Sequence, residues 1–207
     1  MRDLLSELLL VLSRKLQVSV SLLRMRKLTA GASFSCPCHF LGVIKMENIK
    51  LYEVNADYID YLSAYAPHLF QNKKPGQNNE RKYIGIVFQI NGLDYFAPLS
   101  SFKQKHHRMK EAVDFIKVKD YAVINLNNMF PVPLTERKYV DIRSERDPHY
   151  RALLLAEYRF IKSIQEKIRK NAQNVYKIKI KDGTSSALAK RCNDFLVLEK
   201  ACKEYIK

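Results

Sequence analysis

Regular alternation of apolar and polar positions begins at Met46. The run Met-Glu-Asn-Ile-Lys-Leu-Tyr-Glu-Val, ending at Val54, predicts a half-buried strand. The period then changes: Tyr58, Tyr61, Leu62 and Tyr65 recur at helical spacing, so a short helix follows, capped by Asn55 or Asp57. Residues 71–80 are polar and punctuated by Pro75-Gly76, which makes them a loop that delivers Arg81 and Lys82 to the next element. Residues 83–90 and 93–99 are strand-like and are joined by Asn91-Gly92, a pair that tolerates positive φ and therefore predicts a two-residue hairpin. Residues 121–126, 129–134 and 138–142 predict further short strands.

Beyond Asp147-Pro148 the pattern becomes helical. From about His149 to Ala172 an apolar face of Leu153, Leu154, Ala156, Tyr158, Phe160, Ile161, Ile164 and Ile168 lies against Arg, Lys and Glu. Val175 to Ile180 reads either as a short strand or as the end of that helix, Asp182-Gly183 as a turn, and Asp194 to Tyr205 as a last helix. The fold class predicted is α+β: a compact antiparallel, barrel-like β core with packed helices and a long C-terminal helical region.

Residues 1–45 differ in kind. A Leu-rich amphipathic run from Leu4 to Leu12 meets Arg14-Lys15 well before the ~20 apolar residues that a bilayer requires, and Asp3 and Glu7 disfavour a signal peptide. They read as an N-terminal extension, non-native or disordered, with translation expected to start at Met46. Residues 46–207 are read as a single domain. An amphipathic arm and an organelle transit peptide are the alternatives for the extension.

Charge narrows the partner class. Lys and Arg outnumber acids 36 to 21, for a net charge of +15; the segment after residue 45 alone retains +10. A field of that sign attracts polyanions, nucleic acid first, although a basic surface that merely confers solubility is also compatible. The four cysteines, Cys36, Cys38, Cys192 and Cys202, include no pair with zinc-knuckle spacing. Cys36-Pro37-Cys38-His39 offers three ligands but no second cluster follows, so no metal or cofactor is expected and free thiols in the cytoplasm are the simpler reading. Six glycines, none in a G-x-G-x-x-G pattern, exclude nucleotide-binding loops of that kind.

The richest chemistry lies between Pro98 and Lys110, where Ser100, Ser101, Lys103, Lys105, His106, His107, Arg108 and Lys110 converge directly after a hairpin strand. Metal-free RNA cleavage requires deprotonation of the 2′-hydroxyl, stabilisation of the phosphorane and protonation of the leaving 5′-oxygen. Cations serve the second need, hydroxyls bond phosphate oxygens, and an imidazole relays protons. The bland alternative is a polar loop start with a solvated basic face. His106 and His107 project to different sides, so at most one faces a site. A Ser-His-acid hydrolase is disfavoured, since no G-x-S-x-G elbow is present.

Four landmarks in order resemble the ToxN/AbiQ family: Lys50 to Val54 with Asp57 to Leu62; Tyr83-Ile84-Gly85-Ile86-Val87; Tyr95 to Lys103; and Ile124-Asn125-Leu126-Asn127-Asn128-Met129-Phe130-Pro131. The segments Tyr150 to Phe160 and Cys192 to Glu199 are similar too, so the likeness covers residues 46–207 and none of 1–45. The resemblance implies a MazF/Kid-like core and a sequence-selective, metal-independent endoribonuclease toxin of a type III system, leaving 2′,3′-cyclic phosphate and 5′-hydroxyl ends. It also implies inhibition by a repeated antitoxin RNA in a protein–RNA hetero-oligomer, cellular or phage mRNA as substrate, a part in growth arrest and abortive infection, and no membrane. The family's hydroxyl-Ser-x-Lys motif corresponds to Ser100, Ser101 and Lys103, and its basic residue before the Ile-Gly strand to Arg81. That last position departs from the family's Lys, and guanidinium is a poor general base while still stabilising phosphate. Lys82, Lys105, His106, Lys110, Lys73, Lys74, Tyr58 and Tyr61 are expected along an RNA groove, the tyrosines as stacking platforms if they are not core. A non-catalytic RNA- or DNA-binding module and a MazF-like toxin with a protein antitoxin are the competing readings.

Overall fold

The computed structural model describes residues 48–66, 69 and 81–205. The extension 1–45, the Cys36 to His39 cluster, and Lys73 and Lys74 in the loop 71–80 lie outside the described residues.

The first strand, β1 (Lys50–Val54), leads into α1 (Ala56–Ser63), where Asn55 accepts a hydrogen bond from the Asp57 amide and so supplies the cap. β2 (Tyr83–Ile90) and β3 (Leu93–Ser101) form the expected hairpin, with Asn91 at φ 52° and Gly92 at φ 76° in the turn. After α2 (Gln104–Arg108) come β4 (Phe115–Val118), β5 (Ala122–Asn125), β6 (Phe130–Pro131) and β7 (Arg137–Tyr139). All pairings are antiparallel, in the order β4-β5-β3-β2-β1-β7, with β6 also on β3.

β3 divides one edge between two partners: Leu99 to Ser101 pair with β5, while Tyr95 and Phe96 pair with β6. Closure does not follow: no pairing joins β4 to β7 among the described residues, so the sheet stays open where the sequence predicts a barrel-like core. The outer strands are too short to build that seam. β7 has three residues, bounded by 3₁₀ turns at Leu134–Glu136 and Ile142–Ser144.

Helices cover both faces of the central hairpin, which is why residues 83–90 and 93–101 read as nearly continuous apolar runs. On one face Ile84, Tyr95, Ala97 and Leu99 pack with Leu154 and Ile161 of α3 (Pro148–Ser163) and with Ile168, Ala172 and Val175 of α4 (Gln165–Asp182). On the other, Tyr83, Phe96 and Phe130 pack with Tyr58, Ile59 and Leu62 of α1 and with Leu198, Ala201 and Cys202 of α6 (Phe195–Tyr205). Each large side chain so enclosed contributes about 1.5–3 kcal/mol from apolar burial. Gly85 is required by this packing, since a Cβ there would lie 2.2 Å from Phe96 Cε1.

The expected long helix is two helices. Ile164 leaves helical geometry at φ −112°, ψ 15°, and its amide bonds to Phe160 and Ile161 carbonyls, ending α3 before α4 begins. Asp147 caps α3 through the His149 and Tyr150 amides, with Pro148 at the first helical position, where its missing N–H costs nothing. Val175 to Ile180 continues α4, settling the open choice in favour of helix, and Gly183 ends it at φ 58°. The short α5 (Ala187–Arg191) intervenes before α6. Buried Glu199 on α6 anchors that helix, its Oε1 accepting from Tyr95 Oη at 2.9 Å and from Tyr176 Oη at 2.7 Å.

Candidate active site

Strand register assembles the cluster. Tyr83 lies opposite Pro98, so Arg81, two residues before, falls opposite Ser100, two residues after. Residues paired in this way share a face of the sheet. Arg81 Nη1 donates to Ser100 Oγ at 2.9 Å and to the Leu99 carbonyl at 3.5 Å. Asn125, at the end of β5, donates from Nδ2 to the same Oγ at 3.5 Å. A serine hydroxyl has two lone pairs and one proton. With N–H donors on the oxygen from Arg81 and Asn125, the proton is left to point at a further acceptor, as a phosphate oxygen would be. Partial burial pulls the Arg81 pKa below its ordinary value, yet guanidinium remains charged at neutral pH.

Ser101 ends β3 and is exposed. Alternation along the strand directs it to the opposite side from Ser100, so the two hydroxyls are not brought to one point by the backbone. Lys103 is exposed at the start of α2, where its amide donates to His106 Nδ1 at 3.0 Å. His106 is only 6% exposed, packed edge-on to Phe102 at 5.4 Å. Burial first, then the charges of Lys105, Lys103, Lys117 and His107, hold its pKa below the ordinary value. The imidazole is therefore neutral at pH 7, with Nδ1 occupied as an acceptor. Its described role is to hold the Lys103 turn, in place of the exposed RNA contact or relay expected from the sequence.

Lys105 and Lys110 are exposed, as a basic rim requires. Lys82 is not: it points to the opposite face from Arg81 and is ion-paired with Glu53, which also takes Lys138 at 3.4 Å. Burial, the largest single effect, raises the Glu53 pKa, but the two lysines together outweigh it and leave that pKa below its ordinary value. Tyr58 is 0% exposed, with its hydroxyl donating to the Pro131 carbonyl at 2.8 Å. Tyr61 packs on Tyr205 and donates to the Ala201 carbonyl at 3.2 Å. Both tyrosines thus belong to the α1–α6 contact; Tyr58 offers no ring face for a base. Asn125 is the residue that sequence reasoning passed over. It lies within the fourth landmark, but an Asn at a strand end has no signal of its own. Among the described residues no three His, Cys, Asp or Glu side chains cluster as a bound metal ion would need.

Fold and cluster together define a basic α+β protein that presents a cation-backed hydroxyl on its central hairpin. The chain matches the family of the toxin ToxN of type III toxin–antitoxin systems over residues 50–203, and it belongs to that family. It is 34% identical over 167 residues to the endoribonuclease ToxN of Bacillus thuringiensis subsp. kurstaki, spanning 77% of this chain and 85% of that protein. A solved structure concerned with selective toxin inhibition by a non-coding RNA pseudoknot superposes with a TM-score of 0.68 at 32% identity, over 78% of this chain and 99% of that one. A second, of a bacterial antiviral system regulated by a processed non-coding RNA, gives a TM-score of 0.68 at 25% identity, over 76% and 99%.

Proposed function

We propose that this chain is the endoribonuclease toxin of a type III system, held inactive by a repeat-derived antitoxin RNA and acting in growth arrest and phage defence in the cytoplasm. The observation that carries the reading is the Arg81–Ser100–Asn125 cluster on a chain of this family. Cleavage proceeds by attack of the substrate's own 2′-hydroxyl on the adjacent phosphorus. The 2′-hydroxyl proton passes to solvent, the P–O5′ bond breaks, the departing 5′-oxygen takes up a proton from solvent, and a 2′,3′-cyclic phosphate and a 5′-hydroxyl result. Ser100 donates to a non-bridging phosphate oxygen, Arg81 and Lys103 neutralise the phosphorane, and Ser101 bonds the RNA beside the scissile phosphate. These cations supply the charge that a metal ion provides in other nucleases, so the reaction is metal-independent. Lys105 and Lys110 extend the backbone contact. The MazF/Kid-like core belongs to the same reading and is supported by the all-antiparallel pairing and the division of β3 between β5 and β6.

Purified protein incubated with RNA tests the proposal. The products expected carry 2′,3′-cyclic phosphate ends, and the antitoxin RNA suppresses their formation with a steep salt dependence, because each neutralised phosphate releases condensed counterion. Inhibition that is flat across salt, or that requires a protein partner, would favour a protein antitoxin instead.

A further inference from the structure

The face of the sheet that carries Arg81 and Ser100 continues toward β7 as a strip of alternating rings and cations. Arg137 lies over the Phe96 ring at 5.6 Å, and Tyr52 meets Phe96 edge-on at 5.1 Å. Tyr139 meets Tyr52 edge-on at 6.1 Å, and Lys50 Nζ stands 6.0 Å from the Tyr139 ring centroid. The register accounts for the alignment: Tyr139 pairs with Tyr52, Tyr52 with Tyr83, and Tyr83 with Pro98. Directly paired side chains share a face, so all four rings lie on the side that bears the Arg81–Ser100 contact.

Burial falls along this row. Tyr83 and Phe96 are fully enclosed, whereas Tyr139, on the three-residue edge strand, keeps 56% of its surface open. Its ring meets that of Tyr52 edge-on and has the Lys50 ammonium beside it. Three strand spacings and two residues along the strand separate it from Ser100, roughly 16 Å.

We propose that Tyr139 and Lys50 form a base-stacking subsite for an unpaired nucleotide of the RNA whose backbone engages Arg81 and Ser100. This inference rests on the nuclease reading for the identity of the ligand. The ring takes the face of the base and Lys50 supplies a cation for the adjoining phosphate. Stacking of this kind is tolerant of sequence, because every base offers a π-face, and a nearby cation adds to it. Tyr139 supplies the open ring that buried Tyr58 does not.

The test uses the full chain and single-stranded decanucleotides of uridine carrying 2′-fluoro groups, which bind without being cleaved. Fluorescence anisotropy is expected to show Tyr139→Ala weakening binding by about fivefold or more, the loss that truncating one stacking aromatic brings. Tyr139→Phe should retain affinity within about twofold. Independently, the same RNA with one 5-iodouridine should photocrosslink the unmutated protein at Tyr139, which keeps the proposal testable if the alanine variant fails to fold. Unchanged affinity in Tyr139→Ala, equal losses in the Phe and Ala variants, absence of the adduct, or a change confined to self-association would each overturn it. Tyr139-dependent binding by a protein that leaves unmodified RNA intact would instead sink the nuclease reading and leave the subsite standing.

Discussion

Arg81 reaches Ser100 across the open end of the β2–β3 pairing, one guanidinium nitrogen 2.9 Å from the hydroxyl oxygen. The contact fixes the direction in which the Ser100 proton points. Ser100→Ala and Arg81→Ala are expected to lower the RNA cleavage rate by about 100-fold or more, the usual cost of deleting one preorganised donor to a developing oxyanion. Asn125→Ala should cost less, about tenfold, because its contact is longer. Single-turnover rates on RNA of saturating concentration would measure this, and an unchanged rate in Ser100→Ala would remove that hydroxyl from the chemistry.

Ser101 and Lys103 make a separate prediction, because strand alternation turns Ser101 to the opposite side from Ser100 and Lys103 stands exposed at the start of α2. Both alanine variants are expected to abolish growth inhibition on induction while antitoxin RNA binding persists, and EDTA should leave cleavage by the unmutated protein intact. Cleavage that chelation stops and added Mg²⁺ restores would defeat the metal-free mechanism.

The His106 contact to the Lys103 amide requires an imidazole with a free Nδ1 lone pair. Its folded pKa is depressed, so the folded state binds fewer protons than the unfolded one. The associated stability is present above about 6.5, the unfolded value, and is lost as pH falls through that value toward the folded one. The basic groups facing it are Lys103, Lys105, Lys117 and His107. Cleavage should therefore decline on acidification below about pH 6.5. His106→Asn, which retains an acceptor without titrating, should flatten that limb. Identical acid limbs in the two proteins would show that another group sets the profile.

Glu157 titrates in the opposite sense. It is only 5% exposed on α3, and burial pushes its pKa up to about 7. The folded state then holds a proton that the unfolded chain has released between about pH 4.5 and 7, and the stability this confers is lost as pH rises through the folded value. Glu157→Gln is expected to stabilise the fold at pH 8 by roughly 2–3 kcal/mol and to change little at pH 5. Urea titrations at the two pH values would check this; equal effects at both would mean that the carboxylate is not the source.

Much of the architecture was legible because local signals carried it. Asn91-Gly92 specified the hairpin, Asp147-Pro148 the start of α3, and helical spacing after Asn55 the short α1. Misses fell where tertiary contacts overrode local pattern. Phe115 to Val118 is four residues long and gains strand geometry only from pairing with β5. Nothing in the composition around Ile164 announces the break between α3 and α4, and the short edges of the sheet were invisible to periodicity. At the site, residue types in a row pointed to Ser100, Ser101 and Lys103, and the family resemblance to Arg81, but which side chains meet depends on register. That register turned Lys82 toward Glu53 and brought Asn125 from another strand to Ser100, while packing on Phe102 enclosed His106.

Glu199 also has a bearing on the order of events during synthesis. The hairpin that carries Ser100 is complete once residue 101 has been made, but its Tyr95 hydroxyl finds the Glu199 carboxylate, and Phe96 its cover from α6, nearly a hundred residues later. Until that helix leaves the ribosome, the Phe96 face of the hairpin has α1 but not α6 to cover it. The hairpin scaffold therefore acquires its closed core only after the segment that bears α6 has been made, well after Arg81 and Ser100 themselves.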